Sequence, residues 1–504
     1  MKIFPIEKVR EADEYTIKKE PIKSLDLMER AASQCYKWIR LHVERDKKIK
    51  VIVGPGNNGG DGLVVARMLS EERYHIEVLI IRFTDKESED FSANLDRLKE
   101  KPDVVINEIK DGDTVPGFNG DDILVDGIFG SGLTRPVKGF IADVIDAMNK
   151  SNKLIIAIDI PSGLFADKST VETESKVVEA NYTLSFQFPK LAFFFAENDG
   201  FVGHWQVLPI GLHEKFIRET EAKHHYIQRE DVKNLKKKRG KFSHKGNFGH
   251  GLLVAGGYGK MGAAVMSSAA AIRSGAGLIT AHIPKKGYDV IQISVPEVMT
   301  SIDRSDEIFS EVPDLSMFNA IAVGPGIGTD KQTRNSLKLL IQNADIPVIF
   351  DADAINILGE NRTWISFVPP NSIFTPHPKE FERITEKTSN NFERFELQKE
   401  FSIKNRVYVV LKGAYTCITT PGGNAYFNST GNPGMASGGS GDVLTGILLG
   451  LLAQNYDPIE ACIIGVYLHG LAADLILEEK GFEGMIARDI INALPKAFVE
   501  CMKD

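Results

Sequence analysis

Cysteine is scarce in this 504-residue chain, and long apolar runs are missing. The four cysteines, Cys35, Cys417, Cys462 and Cys501, lie far apart with no CxxC pair. That spacing argues against a disulfide framework or a zinc module and fits thiols kept reduced in the cytoplasm. No stretch approaches the roughly 18 apolar residues of a membrane helix, and the opening MKIFPIEKVREADEYTIKKE is too charged for a secretory signal. Excess positive charge is absent as well, since 60 basic and 68 acidic side chains give a formal net charge of −8. Neither nucleic acid nor an anionic membrane is therefore an expected partner, and small molecules are. Two phosphoryl-transfer signatures are also missing, the Walker A pattern GxxxxGK[ST] and the protein-kinase catalytic loop.

What is present is glycine, 45 in all, gathered into short runs and not into a linker, as when several loops bring bare backbone against a ligand. With 43% hydrophobic and 25% charged residues the composition is that of a folded globular protein, and the length predicts two sizeable domains. The basic stretch KNLKKKRGKFSHK, residues 233–245, separates two regions of alternating apolar strands and amphipathic helices. It reads as a solvated linker or a basic rim near a phosphate site, with a nucleic-acid patch as the less favoured alternative. The expected division is a first domain over 1–215, a basic linker region over 216–240 and a second domain over 241–504.

In the first region KIKVIVGPGNNGGDGLVVARMLSEERYHIEVLIIRF reads as strand, glycine-rich turn, helix and strand, a βαβ unit. Short apolar segments at DDILVDGIFG, KLIIAIDIPSG and NYTLSFQF extend it into an α/β, doubly wound parallel sheet. The second region repeats that grammar at GHGLLVAGG, AIAVGPGIGTD, IPVIFDADAIN and VYVVLKGAYTCITT, which predicts a second α/β sheet domain.

Ligands of such sheets bind beyond the carboxyl ends of the strands, so the loops at Gly54, Asp126, Asp159, Gly324, Asp351, Lys412 and Gly431 are the candidates. Gly54, Gly56 and Gly59 satisfy GxGxxG, a weak dinucleotide signal on its own, and the next strand ends in Arg82 where that fold wants an acid. Asn57, Asn58 and Asp61 add amide oxygens and a carboxylate, so this loop suits a cation or a polar ring as well as a phosphate; Asx-turn and N-cap use is the plainer alternative. Asn58, Asp126 and Ser162 stand at neighbouring strand ends, as oxygen ligands of a hard cation would. GSGLTRP, residues 130–136, carries Arg135, whose guanidinium can grip a pyrophosphate or a 2′-phosphate. Asp159, just before a Pro-Ser-Gly turn, is a candidate acid and base or a capping residue.

The sharpest signal of the second region is GNPGMASGGSGDVLTGILLGLL, a glycine-rich loop running into an apolar helix with Asp442 in its first turn. Backbone N–H groups of Gly438, Gly439, Ser440 and Gly441, with the helix dipole, would stabilise a transferring phosphoryl group while Asp442 takes the proton of an attacking hydroxyl. Simple helix capping by Asp442 is the alternative. LKGAYT adds Lys412 and Thr416 near the same crevice, and TPHPKEFER adds His377 and Glu380, where His377 alone is more readily structural than catalytic.

In this order the motifs resemble the bifunctional NAD(P)H-hydrate repair enzymes, over nearly the whole chain. GPGNNGGDG, VDGIFGSGL and AIDIPSGL look like the Rossmann-like hydrate epimerase domain. GGYGKMGAA, VGPGIG, DADAIN, TPHPKE, KGAYT and NPGMASGGSGDVLTG look like the ribokinase-like, ADP- or ATP-dependent hydrate dehydratase. The resemblance implies that Asn57, Asn58, Gly59, Gly60, Asp61, Gly130, Ser131, Gly132, Leu133, Thr134, Arg135, Pro136 and Asp159 bind the epimerase substrate, with Asp159 as acid and base. It implies potassium at Asn58, Asp126 and Ser162. In the dehydratase half it implies hydrate contacts from Ala263, Gly326, His377 and Asp442, with Asp442 as the base. ADP or ATP, with Mg²⁺, would meet Lys412, Gly413, Ala414, Tyr415, Thr416, Asn432, Pro433, Gly434, Met435, Ala436, Ser437, Gly438, Gly439, Ser440 and Gly441. The substrates implied are the hydrates NADHX and NADPHX, and the assembly a homo-oligomer. The chain departs from the pattern at Lys379, where members commonly have glycine after the His-Pro pair. The competing expectation is a ribokinase-like kinase for a vitamin precursor or a sugar, fused to a nucleotide-sensing Rossmann-like domain.

Overall fold

Alternating side chains on the strands of the computed structural model enter two different apolar layers, so both faces of each sheet are covered. The structure describes residues 1–118, 120 and 122–503; Asp121, which opens the DDILVDGIFG segment, and Asp504 lie outside the described residues. The chain divides into two compact units, Met1–Lys223 with Asn390–Phe392, and His224–Ser389 with Glu393 onward.

In the first unit Val51, Val53, Val78, Ile80, Val125, Ile156 and Ile158 pack into one layer, while Ile52, Leu79, Ile81, Leu124, Ile155 and Ala157 pack into the other. That is the period-two alternation of a strand buried on both faces. The helices Ser24–His42, Asn57–Glu71 and Glu89–Lys99 cover one face, and Phe140–Lys150 the other. The parallel strand order runs Val105–Lys110, His75–Arg82, Lys48–Val53, Ile123–Gly127, Leu154–Ile158, Tyr182–Phe186 and His204–Leu208. Chain order reverses between Lys48–Val53 and Ile123–Gly127, and a doubly wound sheet opens its crevice at that switch point.

The second unit orders its strands His224–Tyr226, Ala425–Phe427, Cys417–Thr419, Tyr408–Leu411, Ile373–Phe374, Val348–Phe350, Ala320–Val323, His250–Val254, Leu278–Ile283 and Met299–Ile302. Pairing is parallel from Tyr408–Leu411 to Met299–Ile302, and Cys417–Thr419 runs antiparallel to both its neighbours. One layer is built with the helices Met261–Arg273, Ser440–Ala453 and Pro458–Asp474, and the opposite layer with Lys331–Asn343, Ala352–Glu360 and Pro378–Ile384. From Val443 onward the helix Ser440–Ala453 is buried on every side and almost wholly apolar.

Residues 216–240 do not form a linker. They hold the end of the helix Glu214–Glu219, the strand His224–Tyr226 paired with Ala425–Phe427, and the helix Arg229–Leu235 with Val232 buried. Lys237 N donates to Tyr456 Oη at 2.8 Å and Arg239 Nη2 to the Gly275 carbonyl at 2.6 Å. The basic side chains lie along the unit's surface, Lys236, Lys237 and Arg239 over the rings of Phe498, Tyr456 and Phe248. Among the described residues no single helix is long and apolar enough to cross a membrane; Pro458–Asp474 and Leu477–Gly484 reach that length only together, bent by 93°.

Candidate active sites

At the switch point of the first unit the strand Lys48–Val53 delivers a tight turn into the helix Asn57–Glu71. A Cβ on Gly59 would stand 1.8 Å from the Gly54 carbonyl oxygen, so the helix start closes on the strand-end loop only because Gly59 has no side chain. Asn58 is buried, its Nδ2 donating to the Ile158 carbonyl at 3.3 Å, and the Gly130 backbone packs against its amide. A cavity of about 860 Å³ opens there, and Asn57, Asn58, Asp61, residues 130–135 and Asp159 all line it. Gly59, Gly60 and Pro136 support those loops and are not on its wall.

Asp159 has φ +65°, a left-handed backbone that is rare away from glycine and clusters at functional sites. Its Oδ1 meets Lys190 Nζ at 2.7 Å and accepts from Phe186 N at 3.3 Å, and its Oδ2 accepts from Ser131 N at 3.2 Å. Burial pushes this carboxyl up, but the Lys190 charge and the hydrogen bonds from Lys190, Ser131 and Phe186 together hold it below the ordinary carboxylate value. Lys190 is itself 1% exposed, and its Nζ also donates to Ser185 Oγ at 3.0 Å and the Phe188 carbonyl at 3.2 Å. Asp61 and Asp13 line the same cavity and are shifted the other way. Burial, then the charge of Asp159, raises Asp61 well above its usual value and Asp13 to about 7.

Asp126 and Ser162 lie behind the cavity wall and touch each other. Ser162 Oγ donates to Asp126 Oδ1 at 2.6 Å, Ser162 N to Oδ2 at 2.8 Å and Ile128 N to Oδ1 at 3.2 Å. Burial raises Asp126 to about 6 against those hydrogen bonds, and among the described residues no Lys or Arg pairs with it. Arg82, at the end of the next strand, is spent on Glu87 and Glu108, the latter at 3.0 Å.

In the second unit a buried carboxylate organises the strand ends. Asp351 Oδ1 meets Lys412 Nζ at 3.1 Å and accepts from Thr375 Oγ1 at 2.8 Å, while its Oδ2 accepts from Thr445 Oγ1 at 2.7 Å. Burial lowers Lys412, and the Asp351 and Glu380 charges reverse that, leaving it above its usual value. Gly439 starts the helix Ser440–Ala453 with φ +93°, and a Cβ there would fall 2.5 Å from the Met266 side chain. Asp442, in the first turn, is raised to about 7 by burial and by Asp351, against Lys412.

A cavity of about 860 Å³ gathers His377, residues 412–414, Thr416, residues 431–433, residues 435–437 and residues 439–442. Tyr415, Gly434 and Gly438 are not on its wall, nor are Ala263 and Gly326. Those last two adjoin each other, with a Cβ on Gly326 falling 3.3 Å from that of Ala263. His377 caps the helix Pro378–Ile384, its Nδ1 accepting from Glu380 N at 3.3 Å, while His377 N donates to Glu380 Oε2 at 2.8 Å. It is at once a structural cap and a wall residue.

Sequence reasoning missed Asp13 and Lys190 in the first cavity and gave Asp351 and His469 no role in the second. Lys190 carried a usable signal, a lysine just past the strand at NYTLSFQF with an apolar run behind it. Asp13, inside the charged READEYTIKK, carried none. His469 is buried beside Ser440 Oγ at 3.3 Å and held down to about 4 by burial and Lys412.

Two α/β units, each with a carboxylate-bearing cavity at its strand ends, define a two-site enzyme. The fold of the second half is similar to that of a ribokinase-like superfamily protein from Enterococcus faecalis, at TM-score 0.51 and 29% identity over 56% of this chain and 99% of that one. Residues 252–496 match the family described as NAD(P)H-hydrate dehydratase, and residues 24–192 the one described as YjeF-related protein N-terminus. The bifunctional NAD(P)H-hydrate repair enzyme of Moorella thermoacetica is 32% identical over 94% of this chain and 92% of its own length. That of Escherichia coli is 30% identical over 94% and 89%. The chain belongs to the bifunctional NAD(P)H-hydrate repair enzymes.

Proposed function

We propose that the first unit interconverts the R and S hydrates of NADH and NADPH at C6, and that the second dehydrates the S epimer with ADP or ATP. Asp442 carries this reading: a half-buried carboxyl titrating near 7, on the first turn of a helix that opens from a glycine loop. A base with that value is matched to deprotonating a hydroxyl at neutral pH. Hydroxide is a poor leaving group, so Asp442 takes the proton of the C6 hydroxyl as that oxygen attacks the terminal phosphorus and the nucleotide leaves one phosphate shorter. Phosphate then leaves with help from the ring nitrogen lone pair, and loss of a proton from C5 forms the C5=C6 double bond, returns the lone pair to nitrogen and restores the dihydronicotinamide. The N–H groups at 439–441, at the helix N-terminus, oppose the charge that develops on the phosphoryl oxygens.

The nucleotide fits the loop at 431–441, where Ser437 Oγ is buried without a hydrogen-bond partner among the described residues. Mg²⁺ with it would neutralise phosphate charge, held through the nucleotide's own phosphates, since the Asp351 oxygens are engaged by Lys412, Thr375 and Thr445 and Asp442 is the base. Potassium fits the first unit for a similar reason. Asn58, Asp126 and Ser162 offer only oxygen to a cation, and the Asp126 charge has no cationic side chain beside it. Bound there, the ion would supply the missing positive charge next to the crevice. At C6, a hemiaminal carbon, epimerisation needs acid and base help alone, and Asp159, kept ionised by Lys190, is the base.

The four cysteines are free and buried, which supports a reducing cytoplasmic setting. The homo-oligomer implied by the family is checked by light scattering. The chemistry is tested by supplying NADPH hydrate, Mg²⁺ and ADP or ATP while following phosphate and NADPH together. Equal release of the two is expected; a stable phosphorylated product with no NADPH would instead indicate a small-molecule kinase.

A further inference from the structure

We propose that Asp13 is the acid partner of Asp159 in the first cavity, giving its proton to the C6 hydroxyl of the hydrate as that oxygen leaves as water. The inference rests on the epimerase reading above and adds a residue that none of the glycine motifs marks.

The helix Ile6–Lys19 is fixed against its own unit by a buried stripe. Ala12 and Thr16 are buried, Thr16 Oγ1 donates to the Ala12 carbonyl at 2.7 Å and accepts from His213 N at 3.0 Å, and Ile6 N donates to Asp167 Oδ2 at 2.7 Å. With that stripe anchored, Arg10, Asp13 and Ile17, one helical face by their i, i+3, i+7 spacing, line the cavity wall. The Arg10 guanidinium rests against the Gly132 backbone in the loop that also holds Ser131.

Asp13 and Asp159, two of the carboxyls that line this cavity, have opposite surroundings. Asp159 is tied to Lys190, Ser131 and Phe186. Among the described residues no hydrogen bond or ion pair holds the Asp13 side chain. Burial and then the charge of Asp159, against Lys190, raise Asp13 to about 7, whereas Lys190 and its neighbours hold Asp159 below its usual value. Two carboxyls on one wall with their proton affinities pushed apart divide acid and base between them.

The step balances without a redox partner. Asp13 protonates the C6 oxygen and the C6–O bond breaks, its electron pair leaving with water. The ring nitrogen lone pair forms the N1=C6 double bond. Water then adds to the other face of C6, the nitrogen regains its lone pair, and Asp159 takes the proton the new oxygen releases. The return reaction uses the same two groups with their protonation states exchanged.

The test uses the full-length chain and a single hydrate epimer, without nucleotide, and follows appearance of the other epimer by chromatography. Asp13→Asn is expected to lower kcat for interconversion by about a hundredfold or more, the usual contribution of a positioned acid, with KM within about threefold. Asp13→Glu regains at least about tenfold of that loss, and Glu11→Gln, an exposed position on the same helix paired with Lys8, matches the unaltered protein. Dehydratase turnover of the S epimer stays unchanged throughout, and an unfolding midpoint of the first unit within a few degrees of the unaltered protein shows that the variants are folded there. Interconversion by Asp13→Asn within about threefold of the unaltered protein would overturn the assignment. Absence of interconversion in the unaltered protein would overturn the epimerase reading itself, and this assignment with it.

Discussion

Asp159 and Asp442 are the same residue type with proton affinities shifted in opposite directions, and their neighbours decide which. A lysine at 2.7 Å keeps Asp159 charged, whereas Asp442 shares its surroundings with Asp351 and is raised to about 7. Asp442→Asn is expected to lower dehydratase kcat by about 10²- to 10⁴-fold, with epimer interconversion unaffected. Because the base must be ionised, dehydratase kcat/KM in the unaltered protein rises with pH through about 7. The same shift bears on folding. A carboxyl whose folded value lies above its unfolded 3.8 contributes stability below about pH 4 that is lost as pH rises through about 7. Thermal melts of Asp442→Asn should therefore show a midpoint a few degrees above the unaltered protein at pH 8 and no gain at pH 4. Asp159 and Asp442 were legible in the sequence because each adjoins glycine or proline at a strand or loop end. Asp13 was not, since a charged surface helix reads the same whether or not one of its acids faces a cavity. Asp351 was visible as a strand end, but its hold on Lys412, Thr375 and Thr445 exists only once distant segments meet.

Glycine loops were the most readable elements, because a backbone that must approach another backbone leaves a compositional mark. Gly59→Ala places a methyl 1.8 Å from the Gly54 carbonyl oxygen, and strain of about 2 kcal/mol or more is expected from overpacking against rigid backbone. The checks are a lower unfolding midpoint for the first unit and weaker epimer interconversion. Gly439→Ala meets Met266 and a left-handed φ, so the expected outcome is a raised KM for the nucleotide with epimer interconversion intact. The strand His224–Tyr226 was illegible for the opposite reason. It has neither an apolar run nor a turn residue and owes its form to pairing with Ala425–Phe427, which is how sheet neighbours override weak local preference. The basic stretch was read as a linker or a basic rim from its charge and its place between two regions, and charge does not reveal contacts such as Lys237 N to Tyr456 Oη.

Across the whole molecule the order of motifs carried more than any one of them, since a glycine turn after a strand occurs in many folds but the two ordered sets occur together in few. Each unit has its own cavity and its own carboxylate, so the account predicts two activities that mutation separates. The most direct test supplies a mixed-epimer NADPH hydrate with Mg²⁺ and ADP or ATP and follows recovery of the reduced-nicotinamide absorbance. The unaltered chain should restore it fully, Asp159→Asn should stop at the fraction present as the S epimer, and Asp442→Asn should restore none. Recovery by the unaltered chain that halts at the one-epimer fraction, or none with either nucleotide, would contradict the account.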